Sequence, residues 1–120
     1  VIRLFKRAAP GIIKQTQKYN RNSMAARLQR MESIRLNWDR IKEVLTEKPT
    51  ADEIKRLLTA VGAPTNPQEL GIEPDLVYYS IIYAKEIRTR YTILQLIWDL
   101  GLLEEIAAEI KEYFIEQDGV

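Results

Sequence analysis

Leu76-Val77-Tyr78-Tyr79-Ser80-Ile81-Ile82-Tyr83-Ala84 is the stretch that decides the fold. Its residues are apolar or aromatic on nearly every side, a composition shared by buried strands and buried helices. The run then continues into Lys85-Glu86-Ile87-Arg88, too long for a typical strand of about five or six residues. Pro74, just upstream, suits the first turn of a helix, where its missing N–H costs nothing. We therefore read a helix from Pro74 through this segment. With no convincing strand elsewhere, the expected fold is all-α. It is a multi-helix, orthogonal or bundle-like domain of about six helices without a sheet, spanning 1–120 as one unit.

Working outward, Thr92 can cap a helix over 93–100 that Gly101 closes, and 102–117 forms a last amphipathic helix. Ile106, Ile110 and Phe114 share one face of it, while Glu104, Glu105, Glu109 and Glu112 mark its wet side. Upstream, Thr50 and Glu53 have capping-box spacing, each side chain satisfying a backbone N–H left orphaned at a helix start. Ile54, Leu57, Leu58 and Val61 make that helix's apolar face, and Gly62 sits where a left-handed cap belongs. Asn66-Pro67 repeats the start signal for one turn that Gly71 stops. Earlier still, Met24, Leu28, Met31, Ile34, Trp38, Ile41 and Leu45 form one stripe, predicting a single long helix after the N-cap Ser23. That stripe suits packing on its own domain or a coiled-coil pairing. Asn20-Arg21-Asn22-Ser23 is a polar break, and Pro10-Gly11 is read as interrupting any helix over 2–9, with a second short piece through Tyr19.

Hydrophobic residues at 46% and charged residues at 29% describe an ordinary globular chain, and 120 residues suffice to bury roughly two-thirds of the unfolded surface. No apolar run approaches the roughly 20 residues that cross a bilayer. The absence of cysteine removes disulfides and fits a cytoplasmic setting. Arg3, Lys6 and Arg7 break up the only signal-like apolar stretch. The chain starts with Val, as expected of a processed or truncated product. The net charge of +1 conceals an asymmetry. Residues 1–42 hold 11 Lys/Arg against Glu32 and Asp39, a balance of +9, whereas the remainder holds 7 basic and 15 acidic residues, a balance of −8. The basic part can meet the acidic part of the same molecule, or an anionic partner such as nucleic acid or a membrane surface.

The residues that carry chemistry are sparse. With neither His nor Cys there is no usual general base, thiol nucleophile or zinc, copper or iron site. The five glycines stand singly near breaks and form no phosphate loop. An autonomous enzyme is not expected: catalytic residues none, cofactor-binding residues none, metal ligands none. One cluster invites a sharper reading. Arg88, Arg90 and Tyr91 can bind a phosphate through charge-assisted hydrogen bonds. Equally, the arginines can answer the carbonyls at a helix C-terminus, or pair with Asp99, a carboxylate in an otherwise apolar helix. A faint helix-turn-helix at 52–72 has two prolines in its turn and no basic recognition helix after it, so nucleic acid is not the expected partner. The arginine face with Arg27, Arg30 and Arg40 can touch phosphates or simply face water.

Gly62-Ala63-Pro64, Glu69-Leu70-Gly71-Ile72, Ile87-Arg88-Thr89-Arg90-Tyr91-Thr92-Ile93-Leu94 and Trp98-Asp99-Leu100-Gly101-Leu102-Leu103, in that order and spacing with Trp38 and Ile41 upstream, resemble the C-terminal helical part of the glycerol-1-phosphate dehydrogenase family. That family is related to iron-containing alcohol dehydrogenase and dehydroquinate synthase. The resemblance implies a cytoplasmic two-domain parent of phospholipid metabolism that uses NAD(P) and a divalent metal (zinc, nickel or iron). Its reaction would be reversible hydride transfer between NAD(P)H and dihydroxyacetone phosphate. This chain would be a helical scaffold from that parent, not catalytic in isolation, whose partner is the missing nucleotide-binding and metal-bearing part. A homo-oligomer is expected, with association through Tyr78, Tyr79, Ile82 or the 24–45 stripe. The rival reading is a stand-alone, basic-faced helical module that binds nucleic acid or protein.

Overall fold

Almost every helix boundary between residues 50 and 101 falls at a start or stop signal in the sequence. The computed structural model describes residues 2–20 and 22–118; Arg21 of the polar break and Gly119 lie outside the described residues. Six helices of nine or more residues run in order: α2 (Ala9–Tyr19), α3 (Met24–Leu36), α4 (Trp38–Thr46), α5 (Ala51–Ala60), α6 (Pro74–Ala84) and α8 (Leu103–Asp118). Two shorter ones, α1 (Ile2–Phe5) and α7 (Ile93–Asp99), and 3₁₀ turns at Lys6–Ala8 and Pro67–Leu70 complete the set. The described residues contain no strand, so the all-α reading holds and 76–84 is helical.

The local devices are those expected, except that the Thr92 side chain makes no cap hydrogen bond at the start of α7. Thr50 and Glu53 close a reciprocal capping box, and Ser23 accepts from the Ala26 N–H. Gly62, Gly71 and Gly101 all adopt left-handed backbone, with φ of 71°, 69° and 77°. After α5 and α7 each lets the chain fold back so that the following N–H reaches a carbonyl five residues earlier, as in Ala63 to Leu58 and Leu102 to Ile97.

Three boundaries differ from expectation, and the first is that α6 ends at Ala84 and does not run on through Lys85-Glu86-Ile87-Arg88, which turn away from the helix. Pro10 does not interrupt a helix; it occupies the first turn of α2, where it removes no hydrogen bond, and the break comes earlier, where Lys6 takes φ of 42°. The long helix divides at Asn37, whose backbone leaves helical geometry while its side-chain amide donates to the Ser33 carbonyl at 2.8 Å. Such local competition by Asn overrides the continuous apolar stripe. Of that stripe Ile34 alone is buried, Met31 and Ile41 are half-buried, and Met24, Leu28, Trp38 and Leu45 are exposed.

The core lies where α6 packs along α8 and α7 closes one end against α3. Among the described residues its buried apolar members are Ala9, Ile12, Ile34, Leu96, Leu103 and Ala107. Every residue from 42 to 62 is exposed, so α5 and most of α4 form an arm outside the core. The accessible surface is 9178 Å², against about 6,700 Å² for a close-packed monomer of 14.0 kDa. The radius of gyration is 16.5 Å, where about 14 Å is usual for this length. By the same scaling the chain buries about 55% of its unfolded surface, short of the two-thirds its length allows. No helix among the described residues is long and apolar enough to cross a membrane.

Candidate functional site

Among the described residues Asp99 is the one carboxylate with 0% exposure. It lies on the last turn of α7, a helix otherwise composed of Ile, Leu, Gln and Trp. A buried carboxylate is tolerated only when its lone pairs are filled. Arg30, on α3, fills two of them with a forked contact, Nε to Oδ2 and Nη2 to Oδ1, both at 2.7 Å. The Tyr91 hydroxyl donates to Oδ2 at 2.9 Å and the buried Gln95 amide approaches Oδ1 at 3.4 Å.

Burial pushes the Asp99 carboxyl up, but the hydrogen bonds from Arg30 and Tyr91, the Arg30 charge and the Gln95 amide outweigh it, and its pKa falls below the ordinary value. Burial, followed by the hydrogen bond to Asp99 and its charge, pushes the Tyr91 phenol up, so it stays protonated and donating. The Asp99 hydrogen bond likewise raises Arg30 against the opposing effect of its own burial.

Arg27, one turn before Arg30, caps the same helix end. Its Nε and Nη2 donate to the Asp99 carbonyl at 3.2 and 2.9 Å, answering the orphaned carbonyls and negative dipole end of α7. Its guanidinium lies 5.0 Å from the Trp98 ring centroid, and the buried Lys85 ammonium lies 4.9 Å from it, so the indole has two cations against it. Lys85 also pairs with Glu86, which accepts from Asn22 at 2.9 Å and from Thr16 at 3.3 Å. The basic first third therefore does meet the acidic remainder: Arg30 reaches Asp99 across 69 residues of sequence.

These contacts correct two sequence readings. Asp99 is held by Arg30 and not by Arg88 or Arg90, which are exposed on the loop between α6 and α7. The arginine face of α3 is not simply solvated, since Arg27 and Arg30 turn inward; Arg40 remains outward and pairs with Glu43 at 2.6 Å. Of the three phosphate candidates, Tyr91 is committed to Asp99, which separates its hydroxyl's role from that of its neighbours. Asp99 itself was recognisable as needing a partner. Arg30 was not identified, although Arg27 and Arg30 lie one turn apart beside Ile34, a spacing that could have suggested a common inward target.

A groove of about 400 Å³ lies over this lock, lined by Arg30, Ser33, Ile34, Asn37, Ile41, Tyr91 and Leu96. Its polar atoms are donors already engaged or exposed amides and hydroxyls, and no carboxylate or imidazole among its lining residues stands ready to take a proton from the Ser33 hydroxyl. A metal does not fit this chain's own side chains: there is no His or Cys, and among the described residues no three carboxylates gather. No glycine-rich turn is present to receive a dinucleotide.

The fold and this lock define a class: an open helical unit tied together by buried, charge-assisted contacts. The particular kinship comes from sequence comparison. The chain is 34% identical over 74 residues to the glycerol-1-phosphate dehydrogenase (NAD(P)+) of Geobacillus stearothermophilus, a match covering 61% of this chain and 18% of that protein. To the enzyme of the same name from Methanospirillum hungatei it is 36% identical over 66 residues, 54% of this chain and 17% of the relative. With that of Aeropyrum pernix the identity is 49% over 55 residues, 45% and 15% of the two chains. The resemblance to the glycerol-1-phosphate dehydrogenase family is thus borne out, and the chain spans less than a fifth of the length of these curated relatives. No family model and no solved structure matches it.

Proposed function

We propose that this chain is the C-terminal helical part of an NAD(P)- and metal-dependent oxidoreductase similar to glycerol-1-phosphate dehydrogenase. In that parent it acts as a scaffold, walling the cleft and supporting the metal-bearing helices, with no catalytic residue of its own. The parent reaction is reversible hydride transfer between NAD(P)H and dihydroxyacetone phosphate, and NAD(P), the metal and its ligands belong to the rest of the parent. The parent is read as a cytoplasmic homo-oligomer. Exposed Arg88 and Arg90 are the side chains assigned to the neighbourhood of a substrate phosphate.

The observation that carries this reading is the sequence similarity to enzymes of one name from bacteria and archaea. The roughly 2,500 Å² of surface in excess of a close-packed monomer supports it, because a part cut from a larger core leaves such surface bare. A chimera tests it. The matching segment of the Geobacillus stearothermophilus relative is replaced by this chain, and NAD(P)H-dependent reduction of dihydroxyacetone phosphate is assayed. The expected result is an active chimera beside an inactive isolated chain. Turnover by the isolated chain, or a chimera without activity, would contradict the scaffold reading.

A further inference from the structure

Among the described residues nothing covers the apolar stripe of α5. Ile54, Leu57, Leu58 and Val61 share one face, and Leu57 and Val61 are 68% and 78% exposed. This is no loose tail, since the capping box fixes the helix start and the Gly62 turn fixes its end. Trp38 and Leu45 on α4 add exposed apolar surface on the other limb of the elbow, whose open hollow of about 860 Å³ includes Pro49 and Leu57. A well-capped helix that holds four large apolar side chains in water is an interaction surface.

Charge narrows the occupant. Residues 38–61 hold five acidic and five basic side chains, whereas residues 1–21 hold six basic and none acidic. The elbow therefore has no net attraction for a phosphate backbone or an anionic membrane, and its complement is an apolar protein surface. Area narrows it further. A second copy meeting this one in a standard-sized interface would remove about 800 Å² from each, a third of the roughly 2,500 Å² in excess. The matched segments make up 18, 17 and 15% of three relatives, so most of each relative's chain lies outside the match and is available as cover.

The geometry points to the α4–α5 elbow as the face by which this chain docks onto the remainder of its glycerol-1-phosphate dehydrogenase-like parent, an inference that rests on the family reading above. Val61→Cys places a thiol on the stripe of a chain that has none of its own. Its rate of labelling by a maleimide, mapped by mass to position 61, is compared between the isolated chain at low concentration and the chimera. Docking slows labelling by at least about tenfold in the active chimera, because the thiol then reacts only through local opening. An active chimera labelled as fast as the isolated chain would overturn the choice of face while leaving the family reading intact. Protection that grows with concentration in the isolated chain would assign the face to a second copy and overturn it equally. An inactive chimera removes the scaffold reading and this inference with it. As a second readout, Val61→Glu should leave the isolated chain's melting temperature unmoved and lower that of the chimera; a chimera melting unchanged would again count against the elbow.

Discussion

Helices α5 and α7 both have Thr at the N-cap position, though only Thr50 makes a cap hydrogen bond, and both have a left-handed Gly after the last turn, yet they meet opposite fates. All of α5 is in water, while α7 buries Gln95, Leu96 and Asp99. The more regular amphipathic helix is the exposed one, and the one interrupted by a carboxylate is interior. Caps and glycines fix where a helix starts and stops; what covers it is settled by other parts of the chain. Helix α7 has its partners here, since Arg27 and Arg30 come from α3, and α5 does not.

The strongest way to break this contrast is Asp99→Asn. It strips the charge from the buried pair and leaves Arg30 without its counter-ion, and we expect a loss of about 3–5 kcal/mol in urea unfolding. An unchanged midpoint would mean that α7 is not locked through Asp99. The same contribution can be titrated. The Asp99 pKa is depressed on folding, so its stabilisation is complete above the ordinary carboxylate pKa of about 3.9 and drains as pH falls through the lower folded value. Thermal melts should therefore show Asp99→Asn and the parent sequence converging below about pH 4.

A matched pair of truncations sharpens the comparison at smaller magnitude. Leu103, 3% exposed at the start of α8, should cost about 2–5 kcal/mol as Leu103→Ala. Leu57→Ala, the same chemical change on α5, should stay within about 0.5 kcal/mol in the isolated chain. Equal costs in denaturant titrations would show that the arm packs on the body.

Much of the fold was legible because its signals are local. The Thr50–Glu53 box, Asn66-Pro67, Pro74 and the three left-handed glycines specify boundaries through contacts within five residues. The division at Asn37 was not legible, since apolar spacing continues across it and only the Asn side chain's bond to Ser33 betrays the break. Position in sequence also misled at Asp99: Arg88 and Arg90 are its near neighbours, but pairing follows helix packing, which brings Arg30 in from 69 residues away. Periodicity identified the apolar face of α5 and could not say that nothing among the described residues covers it. A stripe records which side of a helix is meant to be buried, not by whom.

Amide hydrogen exchange, measured on the isolated chain and on the chimera, tests the central claim most directly. The account predicts that amides of α8 are protected in both, while those of α5, residues 51–60, exchange rapidly in the isolated chain and slow only in the chimera. Protection of residues 51–60 in the isolated chain to the level of α8, independent of its concentration, would mean that the arm folds back onto its own body and that this helical unit completes its own core.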